Sequence, residues 1–143
     1  MPSTMAAQPT TYVDLLERQL ELSRLLMVEL CDSKTAIATL DLRAIEQQTL
    51  RQESICCELA FVREEIARVE SPDLRLAIDA TTCEKLASLR QRIAEAEQEL
   101  TRANRVQEAL VRRSRRSINV MVNVFSTCSV ESVDGSRSLA RYI

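Results

Sequence analysis

Residues 44–69 read AIEQQTLRQESICCELAFVREEIARV, and within them Ile45, Gln48, Gln52, Ile55, Leu59, Val62, Ile66 and Val69 recur at spacings that alternate between three and four. An α-helix has 3.6 residues per turn, so this alternation lays one continuous stripe along a single face, the seam of a coiled coil. Gln48 and Gln52 stand where the seam begins. Two readings are open for them, register-setting polar groups or a solvated bundle end, and the second is expected here.

Upstream, Thr39, Leu40 and Asp41 form a link too short for anything but an antiparallel neighbour, with Asp41 suited to cap the central helix. The preceding segment carries Tyr12, Leu15, Leu16, Leu22, Leu26, Leu30 and Ile37 on one side, opposed by Asp14, Glu17, Arg18, Glu21 and Arg24. Pro9 with Thr10 and Thr11 supplies its start. Downstream, Ser71, Pro72 and Asp73 end the central helix, Leu74 to Thr82 is a connector, and Thr81 and Thr82 are expected to cap the third helix. From Cys83 the alternation resumes through Leu86, Leu89, Ile93, Ala96, Leu100, Ala103, Gln107, Leu110, Ser114, Ser117, Met121 and Val124. The expected fold is all-α, an antiparallel three-helix coiled-coil bundle with one long C-terminal helix. Its helices cover about 11–38, 42–70 and 82–127, between a flexible N-terminus at 1–10 and a flexible tail at 129–143.

Composition narrows the classes of function. With 143 residues the chain suits one domain, and a 3% aromatic share makes the core aliphatic. The 21 acidic and 19 basic residues leave a net charge of -2, which gives no global attraction to nucleic acid or anionic lipid. No apolar run is long enough for stable membrane insertion, and Met1 to Thr10 do not read as a signal peptide, so a cytoplasmic location is expected. The five cysteines, Cys31, Cys56, Cys57, Cys83 and Cys128, form no CxxC pair, and the chain has no histidine. They are expected to be buried small apolar groups, with no metal and no cofactor. Lacking histidine and glycine-rich loops, the chain offers no catalytic residue, and no enzyme activity is expected.

The end of the third helix is richer than a bundle needs. Ile118, Val120, Met121, Val122, Val124 and Phe125 spread over about 200° of the helix, against roughly 100° for an ordinary surface helix. Val111, Ile118 and Phe125 begin a second stripe one position over from the first, so the packed face rotates. Read as a strand, Ile118, Val120, Val122 and Val124 alternate with Asn119, Met121 and Asn123, but no second strand exists to pair with it, and helix is expected. Such surplus surface serves either a protein partner or a second copy, so a homo-oligomeric structural or regulatory coiled coil is the alternative. Arg112, Arg113, Arg115 and Arg116 form a basic face nearby; without aromatic interleaving or a helix-turn-helix pattern, no nucleic-acid role is expected for it.

The first amphipathic helix is followed by Leu40, Asp41, Leu42 with Ala44, Ile45, Glu46 leading to Thr49, Gln52 and Glu53. Later come Asn104, Leu110, Ser114 and the run Ile118, Asn119, Val120. In these features the chain resembles the FlgN-type flagellar export chaperones, with Gln107 standing where that family often places a second asparagine. The resemblance implies a cytoplasmic chaperone that holds hook-filament junction proteins before their export by the flagellar type III apparatus. It also implies that the C-terminal helical segment of the client is received by the chaperone's C-terminal region. On this chain the groove for an amphipathic client helix would fall at Val111, Ile118, Met121, Val122 and Phe125. For Arg112, Arg113, Arg115 and Arg116 two uses stay open, orienting the client or engaging the export apparatus.

Overall fold

The computed structural model describes residues 9–70, 72 and 78–140, and side chains within those ranges from 11 to 128. Three long helices make the fold: α1 (Pro9–Thr39), α2 (Leu42–Val69) and α3 (Ala80–Ala140). Tyr12, early in α1, meets Glu70 just past α2 and Arg90 early in α3, whereas Ser33 and Ile37, late in α1, meet Gln107 and Ser114. So α1 and α3 run parallel, with α2 antiparallel to both. The expected all-α three-helix bundle with a long C-terminal helix is the fold observed.

The link between α1 and α2 works without glycine. Leu40 takes a positive φ of 54°, its N–H donates to the Ile37 carbonyl at 3.2 Å, and the Asp41 N–H donates to the Ala36 carbonyl at 3.0 Å. This closes α1 in the left-handed manner usually given to glycine. Asp41 then accepts from the Ala44 N–H at 3.1 Å and caps α2, as its position suggests. At the start of α3 the cap differs from expectation. Asp79, not Thr81 or Thr82, accepts the Thr82 N–H at 2.8 Å, because an aspartate three residues ahead reaches the orphan donor directly.

The packing tracks the seams. In α2, Ile55, Leu59 and Val62 are buried and Ile45, Gln48, Gln52, Ile66 and Val69 half-buried, so every seam position is at least partly covered. In α3, Leu86, Leu89, Ile93 and Ala103 are buried, and Ala96, Leu100, Gln107, Leu110 and Ser114 half-buried. α1 carries more buried positions than its single stripe promised: Val13, Gln19, Leu20, Ser23, Ser33 and Ala36 join the expected set. The reason is placement, since α1 packs broadly on both other helices. One core cluster joins Tyr12, Val13, Leu16 and Leu20 to Leu86, Leu89 and Ile93; the other joins Leu22, Leu26 and Leu30 to Ile55, Leu59, Val62 and Ala103. Each fully buried leucine contributes on the order of 2 kcal/mol.

Of the two glutamines of the α2 seam, Gln52 is bonded rather than simply solvated, while Gln48 Oε1 is buried without a partner. Gln107 donates to Gln52 Oε1 at 3.4 Å, Ser33 donates to Gln107 Oε1 at 3.3 Å, and Gln52 donates to the Glu29 carbonyl at 3.4 Å. A polar layer thus spans all three helices toward the end where α2 begins. The cysteines also depart from expectation, because all five are exposed. The α2 seam passes through Ile55 and Leu59, and Cys56 and Cys57 fall outside it.

The third helix is longer than the expected 82–127 and runs to Ala140, through much of the segment expected as a flexible tail. No proline occurs after Pro72, and the single Gly135 costs only about 1 kcal/mol relative to alanine, too little to stop a helix by itself. Residues 1–8 of the expected flexible N-terminus, 74–77 of the connector, and the side chains of Val130, Val133, Leu139, Tyr142 and Ile143 lie outside the described residues.

Candidate partner-binding surface

At 61 residues and about 1.5 Å each, α3 is roughly twice the length of α1, which has 31. Because the two run parallel from a common end, α3 outlasts its neighbours. Among the hydrogen bonds of the described residues, the one farthest along α3 that joins it to α1 is from Ser114 Oγ to the Ile37 carbonyl, at 3.4 Å. Every described side chain from Arg115 to Cys128 is exposed.

The expected partner residues divide at that point. Val111 is half-buried at the margin of the bundle, while Ile118 is 40% exposed, Met121 53%, Val122 55% and Phe125 70%. Val120 and Val124 are exposed beside them. The segment is helical, so the alternative of a strand is excluded. Val111, Ser114, Ile118, Met121, Phe125 and Cys128 succeed one another at steps of three and four, which makes the bare face a continuation of the bundle seam. Two successive steps of four, Leu110 to Ser114 to Ile118, shift the stripe and locally unwind the coiled-coil geometry where the helix leaves its partners.

Arg112, Arg113, Arg115 and Arg116 are all exposed, and among the described residues none forms an ion pair. Two of them meet a residue of the apolar set: Arg112 and Arg115 share a shallow cleft of about 310 Å³ with Val111, Asn104, Gln107 and Glu108. A second cleft of about 280 Å³ touches Asn104 as well, and is lined by Leu26, Leu30, Gln52, Cys56, Leu100 and Thr101. It opens between α2 and α3, which approach each other chiefly through long side chains such as Arg63 and Glu97, 3.0 Å apart. The sequence pattern did not disclose this groove, because its floor, Leu26 and Leu30, belongs to α1 and comes beneath the other two helices only on folding.

Perturbed ionisations lie away from this surface. Burial raises the Tyr12 phenol above its ordinary pKa, and hydrogen bonds from Thr82 hold Asp79 below the usual carboxylate range. Both groups sit at the opposite end of the bundle. Among the described residues no group of three or more cysteines and carboxylates is placed to hold a metal ion, and no helix is long and apolar enough to cross a membrane. The surface offers apolar area next to positive charge. Comparison with protein-family models, with curated proteins and with solved structures finds no match for the chain.

Proposed function

We propose that this protein is a cytoplasmic, non-enzymatic export chaperone of the FlgN type, which receives the C-terminal helical segment of a hook-filament junction protein on α3 and prevents premature assembly. The observation that carries this reading is the apolar face of α3 beyond Ser114, where Ile118, Met121 and Val122 stay exposed on a helix that has outrun its bundle. Exposed apolar side chains scattered singly need no explanation, but a contiguous set along one helical face is the form a helix-binding surface takes. The three-helix architecture and the short α1 to α2 link support the same reading, since both accompany the residues that resemble the family.

A binding measurement with a synthetic junction-protein C-terminal peptide tests it. Changing Met121 and Val122 together to serine should leave helicity intact and weaken binding by about 2 kcal/mol or more, the scale of an interface hot spot. A doubly substituted protein that stays folded and binds the peptide unchanged would place the client elsewhere. If the parent protein does not bind the peptide at all, the chaperone reading itself fails.

A further inference from the structure

The bundle and the projecting part of α3 handle charge in different ways. In the bundle, Arg18, Arg51, Arg63, Arg68 and Arg90 each lie between 2.6 and 3.8 Å from a carboxylate. From Ala109 to Cys128 the chain has four arginines and no acid, although its overall charge is -2. Among the described residues none of these four guanidinium groups pairs with a carboxylate, and their own stretch supplies none.

Their placement relates them to the apolar face. At about 100° per residue, Arg115 falls roughly 20° from Val122 on one edge of the track, and Arg113 roughly 20° from Val124 on the other. The bundle-proximal end of the track is thus bordered by positive charge on both sides, and Arg112 and Arg115 line the cleft beside Val111. A carboxylate is the natural complement of a guanidinium, which it meets through two parallel hydrogen bonds. A face with steps of three and four is best covered by another helix with the same repeat.

Resting on the chaperone reading, we propose that the client segment is an acidic amphipathic helix, whose apolar stripe covers Ile118, Met121 and Val122 and whose carboxylates at one end engage the Arg112 to Arg116 cluster. A second copy of this chain is the poorer occupant. Its own stretch from Ala109 to Cys128 has no carboxylate to offer, and a parallel pairing would set the two arginine clusters against each other.

The test uses the full chain and three synthetic amphipathic helices that share one apolar stripe and carry Glu, Gln or Lys at the flanking positions of one end. Measured by fluorescence anisotropy, the Glu helix should bind about tenfold tighter than the Gln helix at low salt, the scale of two or three exposed ion pairs, and the Lys helix weakest. The advantage of Glu should shrink as salt rises. It should vanish in the variant Arg112→Gln, Arg113→Gln, Arg115→Gln, Arg116→Gln, whose fold circular dichroism verifies. Equal binding of all three helices, or a Glu preference that survives in the variant, overturns the proposal. So does displacement of the Glu helix at physiological salt by anionic vesicles or duplex DNA of higher affinity, or by formation of a dimer seen in sedimentation. A junction-protein peptide that binds equally to parent and variant defeats the charge proposal and leaves the chaperone reading standing. The converse, a bound Glu helix and an unbound junction peptide, defeats the chaperone reading and leaves the acidic client.

Discussion

A single phenol joins the three helices at the end of the bundle away from the candidate surface. Tyr12, 1% exposed, donates its O–H to Glu70 Oε1 at 2.7 Å and accepts from Arg90 Nη2 at 2.8 Å, with the guanidinium 5.8 Å from its ring centroid. Burial raises its pKa most, acceptance by Glu70 adds to that, and the Arg90 hydrogen bond opposes it. The folded state therefore favours the neutral phenol. Its contribution to stability is fully present below the ordinary value of about 10 and is lost as pH rises through the higher folded value. We expect Tyr12→Phe to lower stability by about 1–2 kcal/mol at neutral pH, where two hydrogen bonds are removed. The parent should lose this advantage over the variant above about pH 10. Urea unfolding of both proteins across that range checks the prediction, and a difference that is independent of pH would show that the phenol's ionisation is not coupled to folding.

At the scale of the element, α2 is divided between an aliphatic half and a polar one. Ile55, Leu59 and Val62 are buried, whereas Gln52 sits in a layer with Gln107 and Ser33 held by hydrogen bonds of 3.3 to 3.4 Å, and Gln48 Oε1 nearby is buried without a partner. Amides from Ala44 to Gln52 should consequently exchange with solvent faster than those from Ile55 to Ile66, as measured by hydrogen exchange at neutral pH, since local opening there exposes less apolar surface. Uniform protection along α2 would mean that the polar layer is as cohesive as the leucines. The α2 seam was legible because an alternation of three and four arises directly from helical geometry. The second buried face of α1 was not, since Gln19, Ser23 and Ser33 are polar and become buried only because α1 lies against both neighbours. For Cys56 and Cys57 the cause was different: residue type suggested an interior position, but the legible seam through Ile55 and Leu59 already placed both outside it. The surplus at Ile118 to Phe125 could be read from residue spacing alone, while the clefts around Asn104 needed the tertiary arrangement.

On the scale of the whole molecule, the bundle and the projection divide the labour of folding and recognition. Among the described residues of α3, the buried hydrophobic ones end at Ala103, the last partly buried position is Ser114, and everything from Arg115 to Cys128 is exposed. Apolar groups that stay in water in the folded protein add little to its stability, so ending the chain after Ser117 should shift the melting temperature by no more than about 3 °C. Helical signal per residue should fall only slightly, because the shortened α3 still spans the length of α1 and α2. The same truncation should abolish binding of a junction-protein peptide, since it removes Ile118, Met121 and Val122 together. It should also leave the protein monomeric in sedimentation, since it removes the exposed apolar track that any self-association would use. A truncated protein that unfolds would show that residues beyond Ser117 close back on the bundle. One that folds and still binds would move recognition to the groove between α2 and α3, where Leu26, Leu30 and Leu100 already provide an apolar floor.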